Sequence, residues 1–115
     1  MTIIRVIDFE TTGTEPPAQV CEVGYCDVDV TTRDIQPWKS WLCGVNSMPP
    51  DVRAVHHISL AECEGLPPFD PDTCDSDAVY GFAAHNADFE GKFSQTPKPM
   101  ICTYKAARRG WPDAP

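Results

Sequence analysis

The sequence predicts an α/β domain on a mixed sheet that opens with three antiparallel strands. Two observations carry this. Three strand-like segments come first, and alternating helix and strand signals follow them. A chain of 115 residues with 42% apolar content also has the size of one domain, residues 1–115, with a modest core.

The apolar run from Ile3 to Phe9 reads as a buried first strand. Thr11 to Gln19 holds Gly13, Pro16 and Pro17 and reads as a loop. Val20 to Val30 alternates as a second strand, with Glu22, Gly24 and Cys26 on one side and Val23 and Tyr25 on the other. After a turn at Thr31 to Asp34, Ile35 to Cys43 reads as a third strand despite Pro37. Helical signals begin at Pro49 and run to His56. Ser59 with Glu62 three residues on is a capping box for a short second helix. Gly65 to Asp77 is rich in proline and acids and reads mostly as loop. Ala78 to Ala84 is a strand, a helix opens near Asn86, and Met100-Ile101-Cys102 is a last short strand. Thr103 caps a helix through Arg109, closed by Gly110 and stopped by Pro112.

Asp8 and Glu10 lie two residues apart at the end of the first strand, so both side chains point to one face. Like charges held so close repel unless a proton or a cation sits between them. A hard divalent metal with oxygen ligands resolves that repulsion.

A second acidic stretch is Ala84-His85-Asn86-Ala87-Asp88-Phe89-Glu90. Phe89 and Phe93, spaced i and i+4, define a buried helical stripe. Glu90 lies about 100° round from Phe89, beside that stripe and able to look toward the first strand. Asp88 lies the other way, four residues before Lys92, at the spacing of a surface ion pair. Asn86 is also a good N-cap, and acids suit a helix's first turn without any function.

The run Asp8-Phe9-Glu10-Thr11-Thr12-Gly13 resembles motif I of the DEDD family of 3′→5′ exonucleases. The stretch His85 to Glu90 resembles its motif II, with Glu90 in place of the family's aspartate. Val20-Cys21-Glu22-Val23 and Ala54-Val55-His56-His57-Ile58-Ser59 resemble further family segments. Ile101 to Arg109, followed by Trp111-Pro112, looks like the exonuclease X branch.

The resemblance implies a ribonuclease-H-like fold and hydrolysis of terminal DNA phosphodiesters to nucleoside 5′-monophosphates. It implies two Mg²⁺ ions, with Mn²⁺ as a substitute, that activate water and stabilise the leaving 3′ oxygen. Asp8 bridges both ions in this reading, Glu10 holds one and Glu90 the other, which makes these three the catalytic set. Thr11, Thr12, Gly13, His56, His85 and Asn86 are the implied substrate contacts, with a plain turn after the strand as the alternative for Thr11 to Gly13 and a helix-capping histidine as the alternative for His56, and the partner is a single-stranded DNA 3′ end. The family's motif III, a histidine with an aspartate five residues later, has no match at His56, His57 or His85. The fourth carboxylate and the general base of the resemblance are therefore absent, and the sequence reads as the N-terminal portion of an exonuclease domain with the C-terminal part missing, either a fragment or a naturally short variant whose own activity is open. The rival readings are a nucleic-acid-binding module without catalysis and a metal-stabilised interaction domain.

A net charge of −8 argues against a uniformly basic nucleic-acid surface, but the charge is uneven. Residues 1–90 carry four Lys/Arg and sixteen Asp/Glu, or −12. Residues 91–115 carry five Lys/Arg and one aspartate, or +4, and this stretch can meet phosphates or, residue by residue, be an ordinary solvated helix face. None of the six cysteines forms a Cys-x-x-Cys pair, and the histidines complete no zinc spacing, so free thiols in a reducing cytoplasm are expected. No apolar run approaches the roughly 20 residues that span a bilayer, and the N-terminus lacks the pattern of a signal peptide.

Overall fold

Six strands form one mixed sheet, and two of the four helices, those that follow the fifth and sixth strands, pack against it. The structure, a computed structural model, describes residues 1–114. Strand β1 (Ile3–Thr11) is central, with β2 (Val20–Asp29) antiparallel on one side and β5 (Val79–Ala84) parallel on the other. The short β6 (Met100–Cys102) adds parallel to β5. β1 runs two residues beyond Phe9, because the acids that end its apolar pattern still belong to the ladder.

The expected third strand is present but broken. β3 (Asp34–Ile35) and β4 (Lys39–Leu42) both pair antiparallel with β2, separated by Gln36, Pro37 and Trp38. Pro37 has no N–H to donate, so the ladder cannot run through it. The released Trp38 lies over Gly24, where a Cβ would collide with its indole.

Helix α1 (Pro50–His56) starts with Pro50 in its first turn and buries none of its residues. α2 (Leu60–Cys63) carries the expected capping box in full, with Ser59 and Glu62 each bonding the other's end of the turn. The segment after Gly65 is irregular apart from one 3-10 turn, Pro71–Cys74. α3 (Ala87–Ser94) follows β5, and α4 (Thr103–Gly110) follows β6. Cys102, not Thr103, takes the N-cap position of α4. The Thr103 hydroxyl instead reaches the Ala84 carbonyl at 3.3 Å, which ties α4 to the end of β5. None of the described helices is long and apolar enough to cross a membrane.

The main core packs Ile7, Phe9, Val23, Phe82, Ala84 and Phe93 between one sheet face and α3. A smaller cluster of Cys21, Ile58 and Cys63 lies under α1 and α2. All six cysteines are free thiols.

Arg5 is buried in the centre of the sheet. Its guanidinium binds Asp27 through two parallel bonds of 2.8 and 3.0 Å, donates to the Cys74 carbonyl at 2.9 Å and stacks 4.1 Å from the Tyr25 ring centre. Removing Asp27 strands a buried charge, a cost that partial solvent access at Asp27 moderates. Asp27→Ala is expected to lower unfolding stability by about 2 kcal/mol, read from urea denaturation.

Candidate active site

The β1–β2 register collects carboxylates on one face. Asp8 sits opposite Gly24, and Glu10 sits opposite Glu22. Residues directly opposed in an antiparallel pair point to the same side, so Glu22 is a third acid facing Glu10, and the two repel. Periodicity within β1 finds the Asp8–Glu10 pair, but Glu22 emerges only once β2 is registered against it. Burial pushes the Glu10 carboxyl above its ordinary value; Asp8 and Glu22 add to the shift, and His56 opposes it.

Glu90 comes from α3. It is 5% exposed, and its Oε2 is buried without a hydrogen-bond partner. Burial pushes its carboxyl up to about 7, with Asp8 and Glu10 adding and its own backbone N–H opposing. These couplings put Asp8, Glu10 and Glu90 in one electrostatic neighbourhood. They do not close into a ready-made cage, since among the described residues no three His, Cys, Asp or Glu side chains stand together in ion-clasping geometry. An enclosed, unpartnered carboxylate oxygen beside two further acids is a hard-oxygen donor set, and it fits a hard divalent cation.

The acid two residues before Glu90 behaves differently. Asp88 is exposed and pairs with Lys105 of α4 at 3.3 Å, while Lys92 reaches Glu15 at 3.2 Å. The expected Asp88–Lys92 pair does not form, because α4 and the 11–19 loop bring competing partners to both. Phe93 is buried and Phe89 packs against it at 5.3 Å between ring centres, as the stripe requires.

The turn after β1 is tied internally. The Thr11 hydroxyl donates to the Gly13 carbonyl at 2.5 Å, and the Thr12 hydroxyl accepts from the Gln19 N–H at 2.9 Å. Gly13 lies where a Cβ would come within 3.1 Å of the Ala18 Cβ, so a side chain there would push the loop open. The two threonine hydroxyls thus shape the loop. His85 is exposed, 3.1 Å from the Thr103 hydroxyl through Nδ1 and edge-on to Tyr104. Asn86 is exposed at the N-cap position of α3, yet its side chain makes no capping bond.

His56 uses both ring nitrogens inside the protein. The Ile58 N–H lies 3.0 Å from Nδ1, which makes Nδ1 the acceptor and assigns the proton to Nε2. Nε2–H then donates to the Thr11 carbonyl at 3.2 Å, with the Cys21 sulfur 3.8 Å away. His57 adopts a left-handed conformation, and its N–H closes α1 on the Arg53 carbonyl. His56 therefore fastens the end of α1 to the end of β1, one residue from Glu10. His56→Ala leaves two backbone groups without their partner and is expected to cost about 1–3 kcal/mol in a urea melt.

Two comparisons with known proteins bear on this geometry. The chain is 28% identical over 111 residues to exodeoxyribonuclease 10 of Escherichia coli K12, a match covering 96% of the chain and 49% of that protein. It superposes on exonuclease X in complex with 5′ overhanging duplex DNA with a TM-score of 0.81 and 30% identity, over 97% of the chain and 66% of that structure. Over nearly its whole length the chain is similar to these two exonucleases. Its fold is the ribonuclease-H-like exonuclease fold, which it shares with E. coli exonuclease I (TM-score 0.73 at 11% identity, over 99% of the chain and 31% of that structure). No protein-family model matches the chain. The chain spans about half the length of the curated relatives it matches.

Proposed function

We propose that this chain carries the motif I and motif II carboxylates of a metal-dependent 3′→5′ exonuclease that acts on DNA ends and releases nucleoside 5′-monophosphates. The observation that carries the reading is the buried, unpartnered Oε2 of Glu90, electrostatically coupled to Asp8 and Glu10, within an exonuclease fold. Asp8, Glu10 and Glu90 would hold Mg²⁺, for which Mn²⁺ is a substitute. Bound there, the metal would supply water activation and charge stabilisation at the leaving oxygen. Asp8 is exposed and open to an incoming phosphate, whereas Glu90 is enclosed and fixed by α3. The Thr11–Thr12–Gly13 turn, locked by its own hydroxyls and braced by His56, would present its backbone to the terminal nucleotide. His85 and Asn86, both exposed at the start of α3, would contact the strand from the other side. The similarity to an exonuclease X structure in complex with 5′ overhanging duplex DNA supports DNA as the substrate class. A single-stranded 3′ end is the proposed reacting element. The six free thiols suit a reducing compartment, and we assign the chain to the cytoplasm on that ground.

A 5′-labelled single-stranded oligonucleotide incubated with the protein and Mg²⁺ tests this. Products shortened one nucleotide at a time from the 3′ end are expected, and chelation should stop them. A protein that binds the oligonucleotide but never shortens it contradicts the nuclease reading and supports a binding module.

A further inference from the structure

The cleft between α3 and α4 lies outside the carboxylate cluster, and none of the roles above uses it. It encloses ≈ 870 Å³ and is lined on one side by Ala87, Gly91 and Ser94 and on the other by Lys105, Arg108 and Arg109. Three features of this cleft point to one kind of ligand. The first is charge: these three cations belong to the stretch that carries +4 while the rest of the chain carries −12. Lys105 is partly answered by Asp88, Arg108 donates to the Tyr104 hydroxyl, and Arg109 has no ion pair among the described residues.

The second is an unmatched polar group. Ser94 is 7% exposed and lines the cleft, and its hydroxyl is buried without a partner. A buried hydroxyl left unbonded costs about 1–3 kcal/mol, which a ligand oxygen would recover only once the Ser94 side chain turns toward the cleft. The third is the environment of Cys102, also on the lining. The backbone N–H groups of Ala87, Tyr104 and Lys105 converge on its sulfur and hold the thiol below its ordinary value. Two helix starts thus meet at the floor of a cationic cleft, where negative charge is favoured.

We infer that this cleft is a phosphate-backbone site for single-stranded nucleic acid, held by Lys105, Arg108 and Arg109 with Ser94 at its floor. Tyr104, 48% exposed, lines it and offers a stacking surface for a base. The assignment rests on the DNA reading above for its partner, but not on the carboxylates. Glu90 and Ser94 lie one turn apart on α3, so a strand held in the cleft passes along the helix that carries the candidate metal ligand.

The test is fluorescence anisotropy of a labelled oligo-dT with the full chain in EDTA, over a salt series, so that no cleavage chemistry contributes. The variant Lys105→Gln/Arg108→Gln/Arg109→Gln should bind about tenfold or more weakly, and the log–log salt slope should shrink by about 2 for three lost cations. Arg33→Gln/Lys39→Gln, which removes cations elsewhere on the surface, should bind as the parent does. Ser94→Ala should weaken binding with the salt slope unchanged. Equal affinity and slope in the triple variant overturn the assignment. So does a parent chain that ignores the oligonucleotide and instead self-associates through this cleft, as sedimentation would show. Binding that depends on the three cations without any Mg²⁺-dependent shortening contradicts the nuclease reading and leaves the cleft assignment standing. Shortening that persists while binding ignores the cations does the opposite.

Discussion

Glu90→Gln should make the metal-free protein more stable at pH 8, by roughly 2–3 kcal/mol. The Glu90 carboxyl titrates near 7 in the folded chain, against an ordinary value of 4.5. The folded state therefore holds this proton over a range where the unfolded state has released it. Stability from this group is fully present below pH 4.5 and is lost as pH rises through 7. The amide variant removes the buried charge and with it this part of the pH dependence. Urea denaturation in EDTA at pH 5 and pH 8 reads the effect as the difference between parent and variant, so that groups common to both cancel. Equal loss of stability in parent and variant between those pH values would show that Glu90 is not the titrating group. The same charge that costs stability without a cation is the one that a divalent ion recovers.

For Asp8→Ala the expected effect is on chemistry instead. Asp8 is exposed and makes no side-chain hydrogen bond to the rest of the described chain, so its loss should move stability by no more than about 0.5 kcal/mol. Mg²⁺-dependent shortening of a single-stranded oligonucleotide should fall by about a thousandfold or more, which is several kcal/mol of barrier. Asp88→Asn is the matched control, an acid on the same helix as Glu90 that faces Lys105 and water, and it should retain the parent rate. A nuclease product that survives Asp8→Ala would locate the activity elsewhere.

The parts of the site that were legible in the sequence are those set by periodicity within one element. Strand alternation alone puts Asp8 and Glu10 on one face, and the Phe89–Phe93 stripe alone separates the buried Glu90 from the exposed Asp88. The Ser59–Glu62 capping box is equally local. What the sequence hid depends on pairing between elements. Glu22 joins the cluster because of the β1–β2 register. His56 acts through the Thr11 carbonyl, a backbone atom that leaves no trace in the pattern of side chains. Lys92 and Asp88 have favourable helical spacing, yet loop and α4 partners outcompete it. Pro37 was visible, and its consequence, a third strand split in two with Trp38 laid over Gly24, required knowing which edge it would occupy.

The proposed function rests on Asp8, Glu10 and Glu90 holding divalent metal together. Calorimetric titration of the purified chain with Mn²⁺, without nucleic acid, tests it most directly. Binding is expected in the parent and in Asp88→Asn, with a loss of about tenfold or more in affinity for both Asp8→Ala and Glu90→Gln. Binding that survives Glu90→Gln but is lost in Asp88→Asn would contradict it.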